Sequence, residues 1–163
     1  MYSVILADPP WRYDFSKSDS RQIENHYPTM TVPEICAYQF PRNPNSVLYL
    51  WATAPKLYEA LAVMMAWGYE YKTHGVWDKQ IIGMGYWFRG QHELLLVGVS
   101  GKFSPPDPEV RISSIISERR GKHSKKPIAV YEMIERAYPH LMKLELFARV
   151  HRDGWDAKGN EID

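Results

Sequence analysis

The sequence predicts an α/β fold with a mostly parallel sheet. Short runs of apolar residues are typical of strands buried on both faces, and they alternate with segments that have helical periodicity. Two long polar stretches interrupt the alternation, and loops of that length in compact domains are usually functional. For a chain of 163 residues, we expect one domain over residues 1–163 with a single substantial core.

The first half of the chain opens with a predicted strand. Residues 4–7 form an apolar run that stops at two prolines, which predicts a buried strand followed by a rigid turn. Residues 12–30 are polar and aperiodic, and we expect a long loop there. Thr31 and Glu34 have the spacing of a capping box, so a helix should begin at this point and continue to about Tyr38.

A second strand and a second helix follow. Residues 46–51 form another buried-strand candidate, and Pro55 is well placed at the start of a helix that Gly68 would end. Helical spacing predicts that its inward face carries Leu57, Leu61, Met64 and Met65.

The second half of the chain repeats this alternation. We expect extended segments over residues 69–77, 94–99 and 144–148, a helix over 127–138, loops over 81–91 and 100–124, and a polar tail over 152–163. The loop over 81–91 is rich in glycine and aromatic residues. Buried strands joined by helices are the pattern of a parallel sheet covered on both faces.

The composition narrows the class of protein. Cys36 is the only cysteine, which excludes an intrachain disulfide and favours a reducing compartment. No apolar run approaches the roughly 20 residues of a membrane span, so we expect a soluble, cytoplasmic protein without a membrane partner. His92 and Glu93 begin like a zinc-protease motif, but Leu96 stands where the second histidine belongs, and we expect no metal site.

Charge is concentrated in one segment although the net charge is only +1. Residues 111–126 contain six basic residues and one acidic residue, Glu118. An arbitrary loop of this kind is a solvated surface, but its position near the predicted strand ends favours contacts with phosphates. The basic residues that we expect to contact them are Arg119, Arg120 and Lys122.

The segment from Asp8 to Trp11 has the residues of a binding turn. Ligands of open α/β sheets bind beyond the carboxyl ends of strands, which is where this turn would lie. Asp8 supplies carboxylate acceptors, Pro9 and Pro10 fix the backbone, and Trp11 offers an indole face. The alternative is a stiff turn with a tryptophan in the core.

The order of several further motifs resembles the MT-A70 family of N6-adenine methyltransferases, nearly from end to end. The carriers are Ala7-Asp8-Pro9-Pro10-Trp11, the segments at residues 26–30, 48–51, 92–99 and 123–127, and the C-terminal segments at 143–149, 154–155 and 159–161. The resemblance implies a Rossmann-like methyltransferase fold with permuted motif order, which uses S-adenosylmethionine.

The resemblance also implies roles for individual residues. Asp8, Pro9, Pro10 and Trp11 would be catalytic and hold the target adenine, and Tyr27 would line the same pocket. The cofactor would contact Asp8 and His92, and its ribose would contact Arg149, Asn160 and Glu161. Independently of the resemblance, Lys126 lies just before Pro127 at a predicted helix start, and we expect it to face the cofactor carboxylate. His92 stands where some relatives have lysine. Glu93 is placed to orient Lys125 or Lys126, with a plain strand-end charge as the alternative.

The function that this resemblance implies is methylation of the adenine N6 amine in DNA, as in a site-specific DNA methyltransferase. The alternatives are the same reaction on RNA and a non-catalytic nucleic-acid-binding subunit of a methyltransferase complex. A methyltransferase acting on a small molecule or a protein is disfavoured by the basic loop. The expected partner is nucleic acid, and a homodimer is left open.

Overall fold

The computed structural model describes residues 1–13, 28–122 and 125–159. In chain order its elements are β1 (Val4–Ala7), α1 (Val32–Cys36), β2 (Ser46–Ala52), α2 (Leu57–Ala66), β3 (Glu70–Asp78), β4 (His92–Ser100), β5 (Ile115–Ser117), α3 (Ile128–Ala137), β6 (Lys143–Leu146) and β7 (Asp156–Lys158). Short 3-10 turns at Ala54–Lys56 and Pro108–Val110 precede α2 and β5.

The strands of the described part form one sheet in the order β5-β3-β4-β2-β1-β6-β7. β4 runs antiparallel to both of its neighbours, and every other adjacent pair is parallel. The carboxyl ends of the parallel strands therefore meet the amino end of β4 along one side of the sheet, which we call the carboxyl edge. The predicted mostly parallel α/β sheet is confirmed.

Helices cover both faces of this sheet, which explains why the strand sequences are apolar without alternation. On one face, Ile5 and Ala7 of β1 pack in the same cluster as residues of α1 and α2. On the other face, Val4 and Leu6 pack in a cluster with residues of α3. All four residues of β1 are at most 1% exposed, so β1 lies at the centre of the core.

The first two helices largely follow the sequence signals. Both bonds of the capping box are present, with Thr31 and Glu34 each accepting the other's backbone N–H, although α1 ends at Cys36 rather than near Tyr38. Gly68 follows α2 with a φ of +83° and ends it as predicted. Met65 was expected to face inward and is 75% exposed, because neighbouring helix positions diverge by about 100° and Met64 takes the inward place.

Two short strands lie in segments that the sequence predicts as irregular. β5 interrupts the loop over 100–124, and β7 lies within the polar tail. β6 ends at Leu146, two residues earlier than expected, and the next residue, Phe147, has a φ of +60° that turns the chain. Among the described helices, none has the length and apolar character needed to cross a lipid bilayer.

Candidate active site

Asp8 is the first residue after β1 and lies at the carboxyl edge. Its backbone N–H donates to the Leu146 carbonyl at 3.3 Å, and this bond attaches the turn after β1 to the end of β6. The Asp8 side chain is 23% exposed, and the Lys126 Nζ lies 3.6 Å from its Oδ1. Burial raises the pKa of the Asp8 carboxyl above its ordinary value, although the positive charge of Lys126 opposes this. The structure thus holds a partly buried carboxylate at the end of β1.

Lys126 lies between two carboxylates. Its Nζ is 2.8 Å from Glu93 Oε1, and Glu93 Oε2 is 3.6 Å from a second cation, Lys79. The side chains of Lys126 and Glu93 are only 11% and 12% exposed. The prediction that Glu93 orients one of the two lysines is confirmed for Lys126.

The protonation states of this cluster follow from its charges. Burial alone would lower the pKa of Lys126, but Asp8 and Glu93 together raise it above the ordinary value. Burial alone would raise the pKa of Glu93, but Lys126 and Lys79 lower it overall. Lys126 and Glu93 are therefore both charged at neutral pH.

Two tryptophans lie beneath the Lys126 ammonium. Trp51 and Trp77 pack edge to face with ring centroids 5.9 Å apart, and the Nζ is 5.3 Å from the Trp51 centroid and 5.8 Å from that of Trp77. These distances allow a cation–π attraction. Both rings are 1% exposed. Sequence reasoning missed them as site residues, although Trp51 and Trp77 each occur near the end of a strand.

The prolines build a rigid turn, as predicted. The Pro9 carbonyl accepts the Trp11 N–H at 2.9 Å, and the Pro10 carbonyl accepts the Met30 N–H at 2.9 Å. The Trp11 indole donates to the Trp51 carbonyl at 3.2 Å and is only 5% exposed. Trp11 therefore packs in the core, as the alternative interpretation of this turn expects, and does not present an open indole face. The Pro9 carbonyl keeps one lone pair for a ligand.

A further carboxylate and an arginine adjoin Asp8 on the β6 side. Glu145 of β6 is buried, and the Tyr131 hydroxyl of α3 donates to it at 2.6 Å. Burial raises the pKa of Glu145, and the nearby charge of Asp8 adds to the effect. Arg149 follows β6 and acts to lower the pKa of Asp8, which burial raises overall. Glu145 lies in an apolar strand, and nothing in the sequence pattern marked it as part of the site.

Glu118 attaches the basic segment, residues 111–126, to the same carboxyl edge. The Glu118 N–H donates to the Asp78 carbonyl, and its carboxylate accepts the N–H groups of Ile128 and Ala129 at 2.9 and 3.4 Å. This carboxylate caps α3, a role that the sequence did not indicate because the residues are ten positions apart. The predicted phosphate-binding side chains that follow it are exposed; they are Arg119, Arg120 and Lys122.

The structure brings some of the predicted site residues together and not others. Asp8, Lys126 and Arg149 adjoin one another at the carboxyl edge. His92 also begins β4 at this edge, but alternation along the strand directs it to the face opposite Glu93. The predictions for Tyr27, Asn160 and Glu161 lie outside the described residues.

Comparison with known proteins identifies a family. The MT-A70 family model matches residues 2–161. The chain is 35% identical to the type II methyltransferase M.MunI of a Mycoplasma species, over 99% of this chain and 78% of that protein. It is also 30% identical to an MT-A70-like N(6)-adenosine-methyltransferase of Arabidopsis thaliana and 31% identical to the human N(6)-adenosine-methyltransferase catalytic subunit METTL3.

These matches differ in how much of each relative they include. Each alignment covers 99% of this chain, but the chain spans only 24% of the Arabidopsis protein and 28% of the human one. The family match nevertheless includes β1 through β7 and every described residue of the site. The chain therefore belongs to the MT-A70 family of N6-adenine methyltransferases, with the mostly parallel α/β methyltransferase fold of that family.

Proposed function

We propose that this protein transfers the methyl group of S-adenosylmethionine to the N6 amine of adenine in DNA. The observation that carries the proposal is the Asp8 carboxylate, held beside Lys126 on a rigid turn at the carboxyl edge. We prefer DNA to RNA because the chain covers 78% of the Mycoplasma type II methyltransferase, but only 24% and 28% of the two relatives that are named N(6)-adenosine-methyltransferases.

An adenine amine is a poor nucleophile because its lone pair is delocalised into the ring, so orientation must supply much of the catalysis. Asp8 accepts one amine N–H, and the remaining lone pair of the Pro9 carbonyl accepts the other. The nitrogen becomes positive as its bond to the methyl carbon forms and the carbon–sulfur bond breaks. The negative charge of Asp8 stabilises this positive charge, and the released proton passes to Asp8 or to water.

The residues at the edge fit the proposed cofactor. When bound, S-adenosylmethionine would supply an electrophilic methyl carbon, and its demethylated product, S-adenosylhomocysteine, is a neutral thioether. Its amino-acid portion carries an ammonium and a carboxylate, and Asp8 and Lys126 provide opposite charges 3.6 Å apart. Arg149, with Asn160 and Glu161, is proposed to bind the ribose hydroxyls. A contact between His92 and the methionine portion remains a prediction, which would require the side chain to reach around the edge.

The proposed path of the nucleic acid follows the basic segment. Arg119, Arg120 and Lys122 would contact phosphates and position the strand, while Tyr27 would line the adenine pocket. Because the Asp8 side chain is 23% exposed within the edge, the adenine must leave its base stack to reach it. The substrate is therefore either a flipped-out base or an already single-stranded one.

The variant Asp8→Asn tests the mechanism. It keeps the size of the side chain but removes the charge, and we expect methyl transfer to a DNA oligonucleotide to fall by about 10²-fold to 10³-fold. Mass spectrometry of the nucleosides measures the N6-methyladenine formed, and circular dichroism verifies that the variant is folded. Asp107→Asn, at an exposed acid, is the matched control and should retain full activity. Activity of folded Asp8→Asn near the wild-type level would refute the mechanism.

RNA is a second candidate substrate, because the Arabidopsis and human relatives are named N(6)-adenosine-methyltransferases. Parallel assays with DNA and RNA oligonucleotides of the same sequence decide between the two. A calorimetric titration with S-adenosylmethionine addresses the remaining alternative. A non-catalytic subunit that supports an active partner would bind the oligonucleotide but neither bind the cofactor nor transfer the methyl group.

A further inference from the structure

The loop between β3 and β4 presents three consecutive aromatic side chains to solvent. Tyr86, Trp87 and Phe88 are 80%, 94% and 89% exposed, and Met84 beside them is 76% exposed. None of the three rings contacts another ring in the described part of the chain. Folded proteins rarely expose a contiguous apolar patch of this kind unless it binds something. We call residues 79–91 the aromatic loop.

The aromatic loop has a defined shape. The Gly83 N–H donates to the Gly90 carbonyl at 2.7 Å, and the Gly90 N–H donates to the Met84 carbonyl at 3.2 Å. The Arg89 Nε donates to the Gly83 carbonyl at 3.2 Å. A Cβ atom added to Gly85 would collide with the carbonyl oxygen of Phe88. The backbone therefore closes on itself and holds the aromatic side chains outward.

The position of the aromatic loop connects it to the proposed active site. It leaves the sheet at the end of β3 and returns at the start of β4, both on the carboxyl edge that carries Asp8. At its base, the Lys79 carbonyl accepts the Arg120 N–H at 3.1 Å, which places the basic segment alongside. Arg119, Arg120 and Lys122 form no ion pair among the described residues. The basic segment (residues 111–126), with its unneutralised positive charge, thus adjoins the base of the loop that carries the exposed rings.

We propose that the aromatic loop is a stacking platform for unpaired bases of the nucleic-acid substrate beside the target adenine. The proposal rests on the proposed function, because it adds a binding surface to the same site. Proteins that hold single-stranded nucleic acid combine a positively charged track with aromatic faces on which successive bases stack. The neighbouring positive charges favour a polyanion over a second protein surface as the occupant.

Trp87→Ala tests the platform with a fluorescent single-stranded DNA oligonucleotide that contains one adenine. Removing the stacking partner of one base should weaken binding by roughly 5-fold to 150-fold, while the slope of affinity against salt concentration stays unchanged. Trp87→Phe keeps an aromatic face and should recover most of the affinity. Met65→Ala is the control, because Met65 is 75% exposed at the end of α2, on the side of the sheet away from the loop.

A charge variant separates stacking from electrostatics. Replacing Arg119, Arg120 and Lys122 together with glutamine should lower the salt slope by about 0.7 for each phosphate that is no longer neutralised. Binding of Trp87→Ala equal to wild type would overturn the platform while leaving the proposed function intact. Failure of the wild-type protein to bind or methylate any oligonucleotide would instead overturn the proposed function itself.

The molecular mass in solution tests the alternative that a second copy of this chain, rather than nucleic acid, covers the aromatic loop. Light scattering of wild type and Trp87→Ala at equal concentration should give the same mass if the loop binds bases. A change of mass from a dimer to a monomer in Trp87→Ala, with unchanged oligonucleotide affinity per chain, would show that the aromatic loop joins two copies of this chain, and it would overturn the stacking role.

Discussion

The ion pair of Lys126 with Glu93 can be tested by a double-mutant cycle. The variants Lys126→Met and Glu93→Gln each remove one charge and roughly keep the side-chain volume, and the double variant removes both. The pair is short, at 2.8 Å, and nearly enclosed, with side chains 11% and 12% exposed. The coupling energy between Lys126 and Glu93 should therefore be clearly larger than that of an ion pair on the protein surface.

The expected magnitude follows from the geometry. Coulomb's law with an effective dielectric constant of about 20 gives about 6 kcal/mol of gross attraction at this distance, and the desolvation of both groups offsets much of it. Removing one partner of a buried pair typically costs about 3 to 5 kcal/mol. Lys79, 3.6 Å from Glu93, partly compensates for the loss of Lys126. We expect Lys126→Met to cost about 3 kcal/mol and the coupling energy to be about 2 kcal/mol.

Urea unfolding followed by circular dichroism measures all four proteins of the cycle. The exposed pair of Lys72 with Glu70 is the control, because its distance is also short, 3.1 Å, but its side chains are 49% and 78% exposed. That pair should show a coupling energy below about 1 kcal/mol. A Lys126–Glu93 coupling energy that is equally small would refute the argument that enclosure strengthens this ion pair.

Two other measurements test the surroundings of this pair. Glu118→Ala removes the acceptor for the first N–H groups of α3 and should lower the free energy of unfolding by about 1 kcal/mol, with a smaller loss for Glu118→Gln, as measured in urea. The second measurement is stability against pH. Because the pKa of Glu93 is lower in the folded protein than its ordinary 4.5, its contribution is present above about pH 4.5 and is lost as the pH falls through the folded value. In thermal unfolding experiments, Glu93→Gln should lose less stability than wild type as the pH falls through that acid range. Identical slopes of stability against pH in the two proteins would contradict the lowered pKa of Glu93.

The central sheet could be predicted from the sequence because its strands carry their own signal. β1 and β2 are buried on both faces, so their sequences are continuously apolar. β5 and β7 have three residues each and are paired on one side only, at the two ends of the sheet. Their backbone hydrogen bonds depend on a neighbouring strand rather than on a local pattern. No periodicity can be read from three residues, and both strands were therefore missed.

The site was predictable where its residues are adjacent in sequence. The rigid turn after β1 could be inferred from two consecutive prolines and the carboxylate that precedes them. For Trp11 the sequence left two interpretations open, an open indole face and a place in the core, because its hydrogen-bond acceptor is the Trp51 carbonyl, forty residues away. The place of Glu145 in the site could not be inferred, because its neighbours Tyr131 and Asp8 come from a helix and another strand end. Contacts between distant segments decide these environments.

The reversed direction of β4 has a consequence for how the reactive side of the molecule can vary. A strand that runs parallel to its neighbours contributes only its last residues to the carboxyl edge, and a crossover connection must then return the chain to the opposite edge. β4 instead starts there, so the chain leaves the sheet at the end of β3 and returns to it from the same edge. Insertions or deletions between Lys79 and Gln91 would change the surface at the carboxyl edge, which carries the proposed catalytic turn, without requiring a change of strand register.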